Sequence, residues 1–390
     1  MKHPTTKTKR GIFLLSSTFG AVLLGLLAWA ATDGGVAPYR FPLVPEEGRA
    51  EAAVEFYRAR VEALPGSALD KAELAASYFS LGRRGDPRWF ERAEVEARES
   101  LRLLPVSNLA AELVLAELDQ ARHRFEESLA RAERILRQDP DHEGALALSL
   151  ESRLALGRTA EALRDADRLV QAAPSRGAFA LRALAQEQAG RAEAALADFR
   201  RAYAAEDLGD LEGAAWLRAL WGRFHLRRGE LRAARGLLRE SLRLRPESAL
   251  SLGLMGELEA KRGRWREADR YFSEAYRVSG LPLYLAARAK ARRALDDRAG
   301  AEALWERAEA SLRASLAAGE FGHRRELAEL LLERGRDREL PEALSLARQE
   351  WKLRRDPQTA SVLVQAYART LAASWAKPGP ASGLSAAVSY

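Results

Sequence analysis

The chain has 390 residues, of which 47% are hydrophobic and 30% charged, a balance that excludes a disordered polymer and allows more than one average domain of core. It contains no cysteine, which excludes disulfides, thiolate metal sites, cysteine nucleophiles and lipidated cysteines. Of the net charge of +7, Lys2, Lys7, Lys9 and Arg10 supply four units, so the rest is near balance and the pI of 9.7 is weak evidence for a nucleic-acid surface.

Residues 1–10 form a basic, polar leader, and Gly11–Ala31 (GIFLLSSTFGAVLLGLLAWAA) follow without a charge. That run is long enough to cross a hydrocarbon core as a helix. Four basic residues precede it, while Arg40 and Arg49 come well after, which predicts a cytoplasmic N-terminus and a body outside the cytoplasm. Ala28-Trp29-Ala30 also fits a signal-peptidase site, so an uncleaved anchor and a chain cut after Ala30 both remain open. The run exceeds a usual signal core in length, which favours the anchor.

Residues 32–45 (TDGGVAPYRFPLVP) read as an extended linker. From residue 46 an Ala, Leu, Glu and Arg bias predicts helix almost without interruption, and no alternating β-branched run suggests a strand. Within this body a pattern recurs: a breaker, a small residue at +5, a bulkier one at +9, a small one at +12 and a stop at +17. Gly157 is followed by Ala162, Ala166 and Leu169, Gly190 by Ala195, Phe199 and Ala202, Gly229 by Ala234, Leu238 and Ser241, and Gly263 by Ala268, Phe272 and Ala275. His123 and Arg298 open weaker copies, and two early copies around Ala53 and Ala93 display only a second helix. The stops at Pro140, Pro174, Asp207, Pro246, Gly280 and Ser315 lie 34, 33, 39, 34 and 35 residues apart.

A period of this size predicts a solenoid. Small residues seven apart share a helix face and admit a neighbouring helix, while the residue between them fills the gap between layers. His323–Pro357 reads as a hairpin with an expanded turn. Residues 357–375 give one more amphipathic helix, the candidate for the polar-faced cap that a solenoid requires. Residues 376–390 (AKPGPASGLSAAVSY) read as a disordered tail.

Across residues 46–356 the sequence resembles the tetratricopeptide repeat family, most clearly from Ala249 to Gly280. The resemblance implies an all-α, right-handed superhelical solenoid of helical hairpins, here preceded by one transmembrane helix. Departures occur: the family's early Trp and Tyr are mostly missing from the first helices, and Asp207 and Gly280 replace the closing proline.

No phosphate loop, dinucleotide fingerprint, nucleophile elbow or H-E-x-x-H motif occurs, and the five histidines stand singly, so no catalytic, metal or cofactor site is expected. Arg84-Gly85-Asp86 falls in a turn of an Arg- and Gly-rich chain and reads as chance. The expectation is therefore a binding protein without enzymatic activity. The resemblance implies a concave groove formed by the first helix of each hairpin, holding a protein or peptide. Projecting the repeat places Trp216, Leu220, Arg223, Arg227, Glu257, Lys261, Arg288 and Arg292 on that face. Five are basic, which suits an acidic segment or a terminal carboxylate. Asn108 is the chain's sole asparagine, so the Lys, Arg and Asn clamp by which some family members hold chaperone tails cannot be assembled in its usual form.

These features together suggest a scaffold of a bacterial cell envelope, attached to the membrane by its N-terminal helix, with no nucleic acid or small-molecule substrate evident. A cleaved periplasmic chaperone or adaptor, and an accessory subunit of an envelope enzyme complex, are the alternatives.

Overall fold

A computed structural model describes residues 48–83, 88–207, 209–318 and 323–376. The basic leader, the apolar run 11–31, the linker 32–45, the tail from residue 377 and Arg84-Gly85-Asp86 lie outside the described residues. Among the described residues no helix is long and apolar enough to cross a membrane.

The described chain is helical throughout. The helices are α1 (Arg49–Ala63), α2 (Ala68–Gly82), α3 (Arg88–Leu103), α4 (Leu109–Ala121), α5 (Phe125–Gln138), α6 (Glu143–Ala155), α7 (Thr159–Ala172), α8 (Arg176–Gln188) and α9 (Ala192–Ala204). They continue as α10 (Leu211–Arg227), α11 (Leu231–Leu244), α12 (Ala249–Lys261), α13 (Trp265–Ser279), α14 (Pro282–Ala294), α15 (Arg298–Ala317), α16 (His323–Arg334), α17 (Leu340–Leu353) and α18 (Pro357–Ala376). From α2 to α17 they pair into eight hairpins, and α18 follows as a first helix without a second among the described residues.

Local chemistry explains the alternation. Several first helices open on a capping side chain: Asn108, Ser175, Asp210 and Ser248 each accept a hydrogen bond from the backbone N–H three residues on, while α14 starts on Pro282 instead. The second helices α5, α7, α9, α11 and α13 have no such cap and follow a left-handed residue instead, whereas α15 follows one and is capped by Asp297 as well. Gly157, Gly190, Gly229 and Gly263 have φ between 72° and 76°, a conformation that costs glycine nothing. His123 (φ 56°) and Asp296 (φ 62°) adopt the same turn without being glycine.

Asp296 corrects the sequence register. The weak copy assigned to Arg298 begins two residues earlier, so Ala301, Trp305 and Ala308 are buried while Ala303, Arg307 and Ala310 are exposed. Aspartate tolerates the left-handed region better than most residues, and its turn therefore carries no glycine signal. Ser315 is likewise no stop, because α15 runs on to Ala317. The early copy around Ala93 also has its first helix, α2, whose connection to α3 is long enough to hide the spacing.

The repeat positions are the core. Ala162, Ala195, Phe199, Ala202, Ala234, Leu238 and Ala268 are fully buried, and Phe272 is 5% exposed. Phe272 packs so closely on Gly256 that an added Cβ there would lie 2.5 Å from its ring. Buried serines join the layers: Ser100 Oγ donates to the Ala68 carbonyl at 2.6 Å and Ser241 Oγ to that of Ala215 at 2.7 Å. Asn108 is part of this framework, because its amide donates to Ser100 Oγ at 2.9 Å.

Successive first helices touch one another, α2 on α4, α4 on α6, α6 on α8, α10 on α12, α14 on α16 and α16 on α18, whereas second helices fan apart. First helices therefore line the inside of the curve. At its end, α18 does not present the expected polar outer face: Val364, Tyr367, Leu371 and Trp375 are all exposed.

Candidate functional site: the inner face of the solenoid

The curve brings distant repeats together. The Arg355 N–H donates to the Ala155 carbonyl at 2.6 Å, His123 Nδ1 lies 3.3 Å from Glu350 Oε1, and the Arg354 guanidinium sits 5.9 Å from the centre of the Phe125 ring. The end of α17 and the segment after it thus cross the inner face and clasp the α4–α5 turn and the C-terminal end of α6. Burial pushes the Glu350 carboxyl up. The His123 hydrogen bond and the charges of Arg325 and Arg354 outweigh this and hold it below its ordinary range.

Two hollows remain on the inner face near the expected residues. The smaller, about 280 Å³, is bounded by Leu184 and Glu187 of α8, Arg223 and Arg227 of α10, and Arg354 and Asp356 of the clasp. Arg227 donates to Glu187 at 3.2 Å. Burial, and then the nearby Arg227 charge, push the Arg223 guanidinium down, and its Nε is buried without a partner.

The larger is a groove of about 520 Å³ between α12 and α16. Trp265 and Phe272 of α13, Leu283, Ala286 and Ala287 of α14, Leu312 and Leu330 give it an apolar floor. Its rim carries Glu257, Glu326, Glu329 and Glu333 against Lys261 and Lys290. Burial raises Glu257 despite four nearby cations. Burial also raises Glu329, with only Arg325 opposing it and Glu326, Glu333 and Asp356 adding to the rise. Carboxylates mark the inner face further back as well, since burial lifts Glu117 of α4 to about 7 and raises Glu151 of α6.

The eight residues projected from the sequence therefore separate. Arg223 and Arg227 border the smaller hollow, and Glu257 and Lys261 border the larger groove. Leu220, 4% exposed, belongs to the core around Phe199 and is not available at the surface. Trp216 is partly exposed but borders neither hollow.

Arg288 and Arg292 both engage Asp269 of α13, at 3.0 and 2.8 Å, and so brace adjacent helices. They belong to a series of nearly buried aspartates held by arginine: Arg131 with Asp119, Arg153 with Asp165, and Arg182 with Asp198. A carboxylate bonded to guanidinium inside the repeat is strongly coupled to its partner, so these charges are not offered outward. The signal was present in Asp165 and Asp198, each eight residues after its turn glycine. Sequence reasoning missed the acidic wall of α16, because the expanded turn after Gly335 obscures the register there. Among the described residues no group of three or more His, Asp or Glu is placed to hold a metal ion.

No family model matches the chain, and no curated protein matches its sequence. Solved structures match it in shape. The Cut9–Hcn1 hetero-tetramer of APC/C superposes with a TM-score of 0.51 at 15% identity, over 83% of this chain and 60% of that one. The human IFIT1 dimer with PPP-AAAA gives 0.48 at 16% identity, over 84% and 88% of the two chains. A tetratricopeptide repeat protein from Parabacteroides merdae gives 0.44 at 18% identity, over 63% and 93%. This chain thus spans 60% of the length of the Cut9–Hcn1 chain it matches. At such identities the likeness is one of fold: the protein is an all-α helical-repeat solenoid similar to tetratricopeptide repeat proteins.

Proposed function

We propose that the chain is a non-enzymatic scaffold for protein partners, whose inner face takes a segment of another protein in the groove between α12 and α16. The observation that carries this reading is the groove itself, an open apolar floor inside the curve with charges confined to its rim. Its size suits a few side chains of a helix or extended peptide laid along the solenoid. The segment that fits it presents apolar residues and at least one cation, because four carboxylates face two lysines across the floor. An acidic group, expected from the sequence, suits only the other end, where Arg223 and Arg227 lie together.

The charge-free run Gly11–Ala31 with its basic leader supports the second part of the proposal, a single-pass anchor in a bacterial cytoplasmic membrane with the solenoid on the far side. A photo-crosslinking residue placed at Ala287, in cells expressing the full chain, tests the groove. The expected result is a discrete adduct that is absent when the same group replaces Val95. Equal adducts from the two positions would reject the groove as the binding site.

A further inference from the structure

A solenoid ends stably when its last helix turns a polar face outward. The last described helix does the opposite. On α18 the side chains of Val364, Tyr367, Leu371 and Trp375 are 65%, 45%, 50% and 79% exposed. The exposed alanines 368 and 372 fill the gaps between them. Positions 364, 368, 371 and 375 are spaced 4, 3 and 4 apart, the seam spacing of paired helices, with Tyr367 and Ala372 flanking it. The opposite face, with Val362 and Ala366, already packs on the core formed with α16 and α17. α18 is thus apolar on two sides, and among the described residues only one of them is covered.

We propose that the uncovered face of α18 pairs with α18 of a second copy of this chain, antiparallel about a two-fold axis. The residues are self-complementary in that arrangement. An axis between positions 369 and 370 brings Val364 of one copy against Trp375 of the other, Tyr367 against Ala372, and Leu371 against Ala368. Each contact thus joins a larger side chain to a smaller one, while the alanines let the helices approach closely.

Charge agrees. In a chain that is 30% charged, α18 carries a single charge, Arg369. That guanidinium turns inward to the Leu332 carbonyl. Two copies therefore meet without burying like charges, and a charged partner would find nothing on the stripe to pair with. Arg348 of α17 lies 4.8 Å from the centre of the Tyr367 ring and donates to its hydroxyl at 2.7 Å, holding that ring at the rim of the seam.

Size sets the strength. Large aromatic side chains bury about 150–250 Å² each, so the stripe offers roughly 400 Å² per copy. The pair then buries about 800 Å² before its flanks are added, the range of weak, concentration-dependent association.

The absence of cysteine makes the test direct. Ala368→Cys in the full chain introduces one thiol close to the axis, and Val95→Cys introduces one on the exposed side of α3. Mild oxidation of the detergent-solubilised chain is expected to convert the first largely to a disulfide-linked dimer and the second hardly at all. Adding Leu371→Glu to Ala368→Cys should lower the yield at least tenfold while the circular-dichroism melting curve stays unchanged, since Leu371 is half exposed. Equal crosslinking of the two cysteines would overturn the proposal. So would a chain that sediments as a monomer at 100 μM and instead binds neutral phosphatidylcholine vesicles through Trp375.

Discussion

The inner face around α6–α10 and the inner face around α12–α16 are built from the same repeat, yet they end up in different states. In the first, the chain supplies its own occupant: residues 354–358 lie against the hollow, and a backbone hydrogen bond to Ala155 fixes them there. In the second, the floor stays open, with Leu283, Ala286 and Ala287 available and carboxylates around them. The lesson is that curvature decides where a repeat surface is free. Once the superhelix returns upon itself, part of the groove becomes an internal interface and only the rest can serve a partner.

The largest effect should come from breaking the clasp. Glu350 is 1% exposed and paired with His123, and removing one partner of a buried pair generally costs about 3–5 kcal/mol. Glu350→Ala should therefore shift the denaturant midpoint strongly and raise hydrogen exchange in α6. An unchanged midpoint would mean that the clasp is incidental. The same pair predicts a pH response. An unfolded glutamate titrates near ~4.3 and the folded Glu350 lies lower. Its contribution is thus complete above the unfolded value and is lost as pH falls through the folded one. Exchange in α6 should rise on acidification in the parent and respond less in Glu350→Ala.

Within the open half, Leu283→Asp combined with Glu329→Gln should weaken the bound partner about tenfold, or about 1.4 kcal/mol, without altering the clasp. The matching change at Arg227 should have less effect, since Glu187 already engages it. Equal losses at both ends would erase the distinction between the two regions. Smallest and most local is the turn at Asp296. Asp296→Gly should be tolerated, whereas Asp296→Val should cost about 1–2 kcal/mol, because a β-branched side chain resists positive φ. Equal melting temperatures for the two variants would argue against the assigned register.

The fold was legible wherever glycine marks the turn. Gly157, Gly190, Gly229 and Gly263 fixed four hairpins, because one conformation at each turn sets the phase of every buried residue after it. Legibility failed at Asp296, where aspartate takes the glycine conformation, and at α2, whose connection is unusually long. The site was harder to read. Projection found Glu257 and Lys261, but side-chain pairing decided the fate of Arg288 and Arg292, and their partner Asp269 lies six residues after its turn glycine rather than eight, off the spacing of Asp165 and Asp198. The clasp could not be read at all. It joins residues 227 positions apart, and it depends on small rotations summed over several repeats.

That long-range join bears on how the molecule comes apart. An open solenoid behaves as a one-dimensional array in which each repeat feels only its neighbours, so its ends fray independently of its middle. The contact between Arg355 and Ala155 closes the array into a loop and makes the melting of α17 and α18 depend on that of α6. Local hairpins can still form early, since their contacts are close in sequence. The join comes last, because it must overcome the closure entropy of some two hundred residues. Unfolding should therefore be more cooperative than the repeat count suggests, with the first and last hairpins of the loop released in one step.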